Sequence, residues 1–434
     1  MSGDGTERKL LGKAVMKPGD ERRRRARLGL IVTALMGATV VTGSPAAIAA
    51  DPDLSQVTTT CGGSSNPTFY AGNRRTAVTA GGRVLVVYDP HGSGQQLKWR
   101  DAGSSTWNTN TRGSVTNGQL LAAGDILNDR TASIVVGPDG SGTERAWVVY
   151  AGYAFDKISA VKMRRLSDLD NPLGPSVGPE VNLEPANRGN VRVDMAFEST
   201  SNGPRAVVLW TRRTGDSQYQ LVVAGLSSLG TDTPSLVSTT ALYTGSSANA
   251  NGSLVPSAQG MRVIARTTKL KLFTHSSTAA LTSWSSGSAS ASLSRKAKPT
   301  GVALDSGNIL AVAESDTSAH VVKAFRFSSS GSSVSTELTT SSGYAQPGVA
   351  HTSGDAALLV MVNRNTNSVV SRARSTAGSW GGDVTEIGSS GGGDYAWPNV
   401  MREPVGGFLR VLVDGAKCPS TSQSNQVLAY SRRL

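Results

Sequence analysis

Arg83-Val84-Leu85-Val86-Val87-Tyr88-Asp89 is an apolar strand core, and cores of the same kind return six more times along the chain. The gaps between successive cores are 63, 59, 56, 47, 49 and 50 residues, because the cores begin at Arg83, Ala146, Arg205, Met261, Asn308, Ala357 and Gly407. A short strand with a glycine turn precedes each core, as in RTAVTAGG, and a third strand follows it, as in QQLKWRD. This spacing is typical of propeller blades.

The composition agrees with exposed antiparallel sheets. The chain is 38% hydrophobic and contains 49 glycines, and segments such as HVVKAFRF alternate between apolar and polar residues. The repeat therefore predicts an all-β fold, a seven-bladed β-propeller over residues 51–434. The seventh blade has only three strands before Leu434, so we expect an N-terminal strand at 55–60 to pair with 426–432 and close the ring.

The first fifty residues have the pattern of a cleaved export signal. Arginines at 22–25 and at 27 precede an apolar run from Leu28 to Val41, and Ala47-Ile48-Ala49 provides a small-residue cleavage site. The alternative is a retained anchor, but the run is short for a membrane-spanning helix. We therefore predict a signal peptide at 1–50, no stable membrane insertion after cleavage, and a secreted or cell-envelope protein.

The charge pattern argues against nucleic acid as a partner. The chain has 43 Lys and Arg against 31 Asp and Glu, but much of the excess lies in the leader, and the other basic residues are scattered over many strands. The four histidines have no paired spacing, so no metal site is predicted. No phosphate-binding or dinucleotide fingerprint occurs, so no cofactor is expected.

The two cysteines lie near opposite ends of the predicted ring. Cys61 would follow the closing strand, and Cys418 would lie in a loop of the seventh blade at the same face. In an exported protein a disulfide between Cys61 and Cys418 is favoured, with two free thiols as the alternative.

Polar residues at the ends of the second strands are the candidate site, because these ends meet around the central channel. Several guanidinium groups there can hold a carboxylate through paired hydrogen bonds. The alternative for each residue is that polar groups simply accumulate where strands leave the core. The predicted ligand-binding residues are Arg74, Arg75, Arg212, Arg213, Arg266, Glu314, Arg364 and Asp414.

The segment 73–78 (NRRTAV) is followed by Gly82 and VLVVYD, and the segment 97–107 (LKWRDAGSSTW) has weaker echoes that end at Trp284 and Trp380. These motifs resemble those of the sialidase-like propellers with bacterial neuraminidase repeats. The first resembles that family's opening strand, and the second resembles a degenerate Asp-box. The resemblance implies a carboxylate-binding arginine at the opening strand and a nucleophilic tyrosine, for which Tyr395 is the candidate. Asp89 is available for the family's general acid, and Glu184 is available for the glutamate that partners the tyrosine.

The departures from this family are also clear. The proline of the opening motif is absent, the Asp-box has one extra residue before Trp107, and the family's catalytic domains usually have six blades. Asp-boxes are turn devices away from the site, so Asp101 and Trp107 are interpreted as structural.

Three functions remain open at this point. The favoured one is an exported module that binds a glycan or a cell-surface polymer. The arginines at the predicted site would favour an anionic ligand. The alternatives are a sialidase-like glycoside hydrolase and an envelope scaffold. Whether the protein is an enzyme stays open, with binding favoured over cleavage, and we expect a monomer.

Overall fold

The computed structural model describes residues 54–57, 74–88, 95–114, 120, 131–151, 159–187, 190–215, 217–245, 250–293, 298–316, 318–389, 395–416 and 426–434. Within these ranges all regular secondary structure is β-strand, arranged in seven antiparallel sheets that belong to one compact unit. The predicted all-β, seven-bladed propeller is therefore confirmed. Over the same ranges, no helix has the length and apolar character needed to cross a membrane.

Each blade has four strands in the order of the chain, apart from the seventh. The first strand described is β1 (Leu54–Gln56). Blade 1 contains β2 (Thr76–Val78), β3 (Val84–Tyr88), β4 (Gln96–Arg100) and β5 (Asn108–Thr109). Blade 2 contains β6 (Thr131–Pro138), β7 (Glu144–Ala151), β8 (Ser159–Ser167) and β10 (Val181–Asn187), with the short β9 (Ser176–Val177) also paired to β8. Blade 3 contains β11 (Asn190–Thr200), β12 (Gly203–Arg213), β13 (Tyr219–Ser227) and β14 (Ser235–Gly245).

The remaining blades repeat this order. Blade 4 contains β15 (Asn251–Ser257), β16 (Gly260–Arg266), β17 (Leu270–Thr274) and β18 (Ser285–Ala291). Blade 5 contains β19 (Thr300–Ala303), β20 (Ile309–Asp316), β21 (Val321–Phe327) and β22 (Val334–Thr339). Blade 6 contains β23 (Tyr344–Ser353), β24 (Ala356–Asn363), β25 (Ser368–Arg374) and β26 (Val384–Ile387). Blade 7 contains β27 (Ala396–Val400), β28 (Phe408–Ala416) and β29 (Gln426–Arg433), with β1 paired to β29.

The seven apolar cores of the sequence are the second strands of the blades. These strands are buried over most of their length because they lie inside each sheet and pack on both faces. The packing partners are the neighbouring blades. Seven apolar clusters occur among the described residues, and each joins residues of two consecutive blades, including blade 7 and blade 1.

One contact shows how close the blades lie. The Cβ of an alanine at Gly137 in β6 would lie 2.5 Å from the ring of Phe197 in β11. That ring in turn packs edge-on against Trp147, with ring centroids 5.2 Å apart. A glycine is therefore needed at this point of the interface between blades 2 and 3.

The strand β1 pairs antiparallel with β29, and Ser55 lies opposite Ala429. Beside it, the indole of Trp107 in blade 1 donates to the Ser55 hydroxyl at 3.0 Å, and Lys98 Nζ donates to the carbonyl of Val57 at 2.6 Å. The segment 51–57 is described only from Leu54, and residues 1–50 and 58–60 lie outside the described residues. The predicted signal peptide and its boundary stay predictions.

The propeller has two faces, which we define by the turns that they carry. The hairpin face carries the turns that join first to second strands and third to fourth strands. The crossover face carries the starts of the first strands and the ends of the second strands. The predicted ligand-binding residues therefore belong to the crossover face.

Candidate functional site

One buried carboxylate near the propeller axis, that of Asp194 in blade 3, is bound by groups from three other blades. Arg74 Nη1, just before β2, donates to both carboxylate oxygens of Asp194 in β11 at 2.6 Å. The Ser133 hydroxyl in β6 donates to Oδ1 at 3.0 Å, and the Leu254 N–H in β15 donates to Oδ2 at 2.8 Å. Asp194 is 1% exposed. The ion pair thus links the inner strands of blades 1 to 4.

Arg402 extends to the same place from the hairpin face. It lies in the β27–β28 turn, where Nη2 donates to the Ser253 hydroxyl at 3.3 Å and Nη1 to the carbonyl of Val349 at 3.4 Å. Burial, and then the charge of Arg74, lower the pKa of Arg402 to about 9, while Asp194 acts in the opposite direction. We define the axial hub as Arg74, Ser133, Asp194, Ser253 and Arg402.

A second polar group lies where inner strands begin on the crossover face. Glu314, at the end of β20, accepts a hydrogen bond from His320 Nδ1 at 2.8 Å and one from the backbone N–H of Gln346 at 3.4 Å. Burial lowers the pKa of Lys298 well below its usual range, and Arg192 adds to this effect while Glu314 opposes it. Arg192 and Gln346 both have left-handed backbones, with φ of 61° and 54°. Both lie at β-bulges in inner strands, a device that redirects side chains.

The predicted arginines contact several different groups of the protein. Arg74 already holds a carboxylate of the protein. Arg75 is buried, and its Nη1 donates to Gln95 at 2.7 Å within blade 1. Arg212 pairs with Glu184 at 2.9 Å, and because β10 is the strand of blade 2 farthest from β6, this pair lies away from the inner strands.

The other predicted residues lie at several separate positions. Arg213 Nε donates to the carbonyl of Gly215 at 3.0 Å, and Arg266 is buried at the end of β16. Arg364 is half-buried directly after β24. The side chain of Asp414 lies outside the described residues, although its backbone belongs to β28. Arg74 and Glu314 each contact a group of an inner strand of another blade.

The catalytic candidates implied by the family resemblance have structural surroundings where they are described. Tyr395 is 1% exposed, its hydroxyl donates to the carbonyl of Gly388 at 3.2 Å, and its ring belongs to the apolar cluster between blades 6 and 7. A nucleophile must be reachable by substrate, and this side chain is part of the core. Glu184 is bound to Arg212. Asp89, Cys61 and Cys418 lie outside the described residues.

The Asp-box-like segment forms a turn on the hairpin face. Asp101 accepts hydrogen bonds from Arg83 Nε and Nη2 at 2.9 and 2.7 Å. The guanidinium of Arg83 also lies 4.0 Å from the ring centre of Trp99. These contacts hold the start of the second strand against the end of the third. They agree with the structural interpretation of Asp101 and Trp107.

A cavity of about 480 Å³ lies on the hairpin face between blades 4 and 5. Its lining is rich in hydroxyl groups and includes one amide and one guanidinium. We call it the interblade cavity, and it is lined by Gln259, Arg262, Thr274, His275, Ser276, Ala279, Ser283, Ser285, Ser329 and Ser330. No carboxylate belongs to this lining.

The floor of the interblade cavity is held rigidly. Arg262 donates to the Ser329 carbonyl at 3.3 Å, to the His275 carbonyl at 2.7 Å and to the Gln259 side chain at 3.3 Å. Burial lowers its pKa, with Glu198 acting in the opposite direction. The guanidinium is thus already used by the protein's own acceptors.

The tautomer of His275 follows from its two contacts. Its Nδ1 lies 3.0 Å from the carbonyl of Ser283, which can only accept, so Nδ1 carries the proton. Nε2 then accepts from Arg205 Nη2 at 2.7 Å, and Arg205 is also bound to the buried Glu198. The imidazole lies against the ring of Trp284, with centroids 5.0 Å apart. His275 is therefore held from three sides by Ser283, Arg205 and Trp284.

Sequence reasoning missed Asp194, Arg402 and the interblade cavity. A signal for the hub does exist, because Ser133, Asp194 and Ser253 each precede two apolar residues in the first strands of consecutive blades. Asp194 is the only charged residue among these three equivalent positions, so it indicates a charge near the axis. Arg402 lies in a turn, where an arginine carries no such signal.

Comparison with known proteins supports the fold. No family model and no curated protein sequence matches the chain. The BP39L lectin from Burkholderia pseudomallei is similar over 82% of this chain and 98% of its own, with 12% identity and a TM-score of 0.52. A variant of the Aleuria aurantia lectin with alpha-methyl-L-fucoside gives 14% identity, 75% and 99% coverage and a TM-score of 0.42. NanB, a sialidase whose structure was solved with Optactamide, is 14% identical over 87% of this chain and 70% of its own, with a TM-score of 0.43. Identities this low show a shared fold alone.

Proposed function

We propose that this chain is a carbohydrate-binding propeller whose ligand occupies the interblade cavity. The observation that carries the proposal is the cavity itself, about 480 Å³ in volume and lined mainly by hydroxyl groups. Small-molecule sites have this order of volume. Serine and threonine hydroxyls both donate and accept, so they match the alternating donors and acceptors of a sugar.

The nature of the sugar follows from the cations around the cavity. The Arg262 guanidinium is bound to a side-chain amide and to backbone carbonyls, and Arg205 is paired with Glu198. Neither is set up to bind a ligand carboxylate by a bidentate contact. We therefore propose a neutral saccharide here. The acidic glycan expected from the sequence would need a different place, such as the crossover face.

Binding without cleavage fits the lining better than hydrolysis. Glycoside hydrolysis in most families needs two carboxyl groups on either side of the bond, and the cavity lining has none. Both ring nitrogens of His275 already contact groups of the protein itself, the Ser283 carbonyl and the Arg205 guanidinium. The BP39L lectin shares the fold with this chain at 12% identity, and the proposed ligand site rests on the interblade cavity.

A blocking substitution tests the site. Ser285 is an exposed lining residue, so Ser285→Trp should fill the cavity without disturbing the core. The control is Thr233→Trp, an exposed residue in the corresponding turn of blade 3, which does not line the cavity. On a glycan array followed by calorimetry, the wild type and the control should bind the same neutral saccharide, and Ser285→Trp should weaken binding at least tenfold.

The other functions give different results in the same experiment. Equal binding by both variants would contradict the cavity as the site, and binding of acidic glycans only would favour the crossover face. Cleavage of a fluorogenic sialoside by the wild type would favour the hydrolase. If the protein binds a cell-envelope preparation but no glycan on the array, the envelope-scaffold function would be favoured.

We further propose that the chain is exported and that its N-terminal strand closes the ring. The leader pattern of residues 1–50 and the pairing of β1 with β29 support this. Mass spectrometry of the protein recovered from its native host should give an N-terminus near Ala50 or Asp51. An intact Met1 in the recovered protein would contradict removal of the leader.

A further inference from the structure

We propose that a cavity on the hairpin face, where turns of blades 7, 1 and 2 meet, binds an alkylammonium group, with Glu144 as its anionic partner. An alkylammonium group is a primary ammonium carried on a short aliphatic chain. Nothing in this inference depends on the proposed carbohydrate site, which lies between blades 4 and 5. It follows from the walls of the second cavity and from the surroundings of its one carboxylate.

This cavity has a volume of about 420 Å³, which is within the range of small-molecule sites. Its walls come from three turns that each join a first strand to a second strand. Blade 1 contributes Val78 and Ala80, blade 2 contributes Val136 and Glu144, and blade 7 contributes Val405. We call it the three-turn cavity.

The three turns are closed by their own backbone hydrogen bonds. The N–H groups of Gly82 and Gly142 each donate to the carbonyl three residues earlier at 2.9 Å. In blade 7, Val405 and Phe408 exchange two backbone hydrogen bonds at 3.0 and 3.2 Å. The walls are therefore formed before a ligand arrives, which lowers the entropic cost of binding.

The lining combines apolar side chains with a single group available for a charged ligand. Three valines from three blades form much of the wall, and the polar side chains of the described lining are those of Thr79 and Glu144. The Thr79 hydroxyl donates to Asp170 at 2.7 Å and accepts from the Arg83 N–H at 3.1 Å. Because this hydroxyl is already used, Glu144 is the group that a ligand can address.

The Glu144 carboxylate is poorly compensated. Its two oxygens accept the backbone N–H of Ala80 at 2.9 and 3.1 Å, and no Lys, Arg or His among the described residues forms an ion pair with it. The next residue, Arg145, is paired with Asp139 at 3.3 Å, since successive side chains of β7 point to opposite faces. Burial raises the pKa of Glu144, the Ala80 hydrogen bond opposes this, and the charge of Asp170 acts in the same direction as burial.

A corresponding carboxylate in blade 6 shows the difference. Asp355, just before β24, accepts the Ser306 N–H of blade 5 at 2.8 Å, much as Glu144 accepts an N–H of blade 1. Burial acts to raise the pKa of Asp355, but the Ser306 hydrogen bonds and then the charges of Arg374 and Arg326 outweigh it and lower that pKa. At Glu144 a ligand cation would supply the positive charge that arginines supply in blade 6.

The lining also distinguishes an alkylammonium group from other cations. A divalent metal ion needs several oxygen ligands, and the described lining has one carboxylate. A quaternary ammonium is bound by aromatic cages, and no aromatic ring belongs to the described lining. A primary ammonium would donate a charge-assisted hydrogen bond to Glu144, while its aliphatic chain would pack on the valines.

Calorimetric titration of the full mature protein with n-pentylammonium, at neutral pH and constant ionic strength, tests the site. Pentanol and pentanoate are the neutral and anionic controls of the same chain length. We expect one pentylammonium per chain and binding of both controls that is weaker by at least about tenfold, because they lack the charge-assisted hydrogen bond. No binding of pentylammonium, or equal binding of pentanol, would overturn the proposal.

A second titration separates the two sources of this group, a free amine and a lysine side chain of a partner. It uses Nα-acetyl-lysine N-methylamide. An affinity at least equal to that of pentylammonium would assign a lysine side chain, and binding of pentylammonium alone would assign a free amine. Either result supports an alkylammonium site.

Substitution locates the binding. Glu144→Gln keeps an oxygen for the Ala80 N–H but removes the charge, so it should weaken pentylammonium binding at least about tenfold. The matched control, Asp355→Asn, makes the same change outside the cavity lining and should bind like the wild type. Unchanged affinity in Glu144→Gln, or an equal loss in Asp355→Asn, would overturn the proposal.

A blocking variant covers the case in which Glu144→Gln does not fold. Ala80 is an exposed residue of the lining, so Ala80→Phe should fill the three-turn cavity without disturbing the core and should abolish pentylammonium binding. Wild-type affinity in Ala80→Phe would show that the ligand binds elsewhere and would overturn the proposal.

Discussion

Removal of the Asp194 carboxylate should destabilise the propeller more than removal of any surface carboxylate. Asp194→Ala leaves Arg74, which is 11% exposed, without its 2.6 Å partner, and it leaves two serine hydroxyls and two backbone N–H groups without an acceptor. Breaking a buried ion pair from one side costs about 3–5 kcal/mol. We therefore expect a loss of that size in the free energy of unfolding.

This loss can be converted into a shift of Tm. Unfolding entropy is about 2.1 cal/mol/K per residue, which gives about 0.8 kcal/mol/K for roughly 380 residues. Asp194→Ala should therefore lower Tm by about 4–6 °C. Urea unfolding at 25 °C provides the matching free energy of unfolding, provided that the transition is two-state.

Two further variants show whether the ion pair is the cause. Replacing both partners, as in Arg74→Met with Asp194→Leu, should recover much of the loss, because no buried charge is then left alone. Asp232→Ala should cost at most about 1 kcal/mol, because Asp232 is half exposed in its 2.6 Å pair with Arg165. A loss below about 1 kcal/mol in Asp194→Ala, or a double variant as unstable as the sum of the single ones, would refute the reasoning.

Three other predictions concern the blades. Gly137→Ala should destabilise by about 1–3 kcal/mol in urea unfolding, because its Cβ would lie 2.5 Å from the ring of Phe197, and an unchanged free energy would contradict the tight interface. Tyr395→Phe should cost about 1 kcal/mol through its lost hydrogen bond and leave any sialoside cleavage unchanged, so abolished cleavage would restore its catalytic role. If Cys61 and Cys418 are bonded, reduction should lower Tm by several degrees, and an equal Tm with and without reductant would contradict the disulfide.

The blade pattern was readable from the sequence because it depends on local and repeated properties. The second strand of each blade is covered on both faces, so it has to be a continuous apolar run, and the run starting at Arg83 became β3 (Val84–Tyr88). The glycine turns and the alternating third strands follow from short-range geometry in the same way. The interpretation of Asp101 as a turn residue likewise depended only on the adjacent residues of the segment 97–107.

The grouping of side chains at the candidate sites could not be read in this way. Arg74 was identified, but its partner Asp194 lies 120 residues further along the chain and in another blade. Arg75, the next residue, instead donates to Gln95 within blade 1. The positions of the strand ends in the sequence therefore predicted which residues lie on one face, but not which of them are in contact.

The sequence by itself thus determined the number of blades, the class of fold and the position of each sheet in the chain, since burial of apolar strands is set by residues within one repeat. The tertiary structure decided the axial hub and the interblade cavity. Both are formed where separate repeats meet, and their charges and hydrogen bonds exist only after the ring has brought distant residues within a few ångströms of one another.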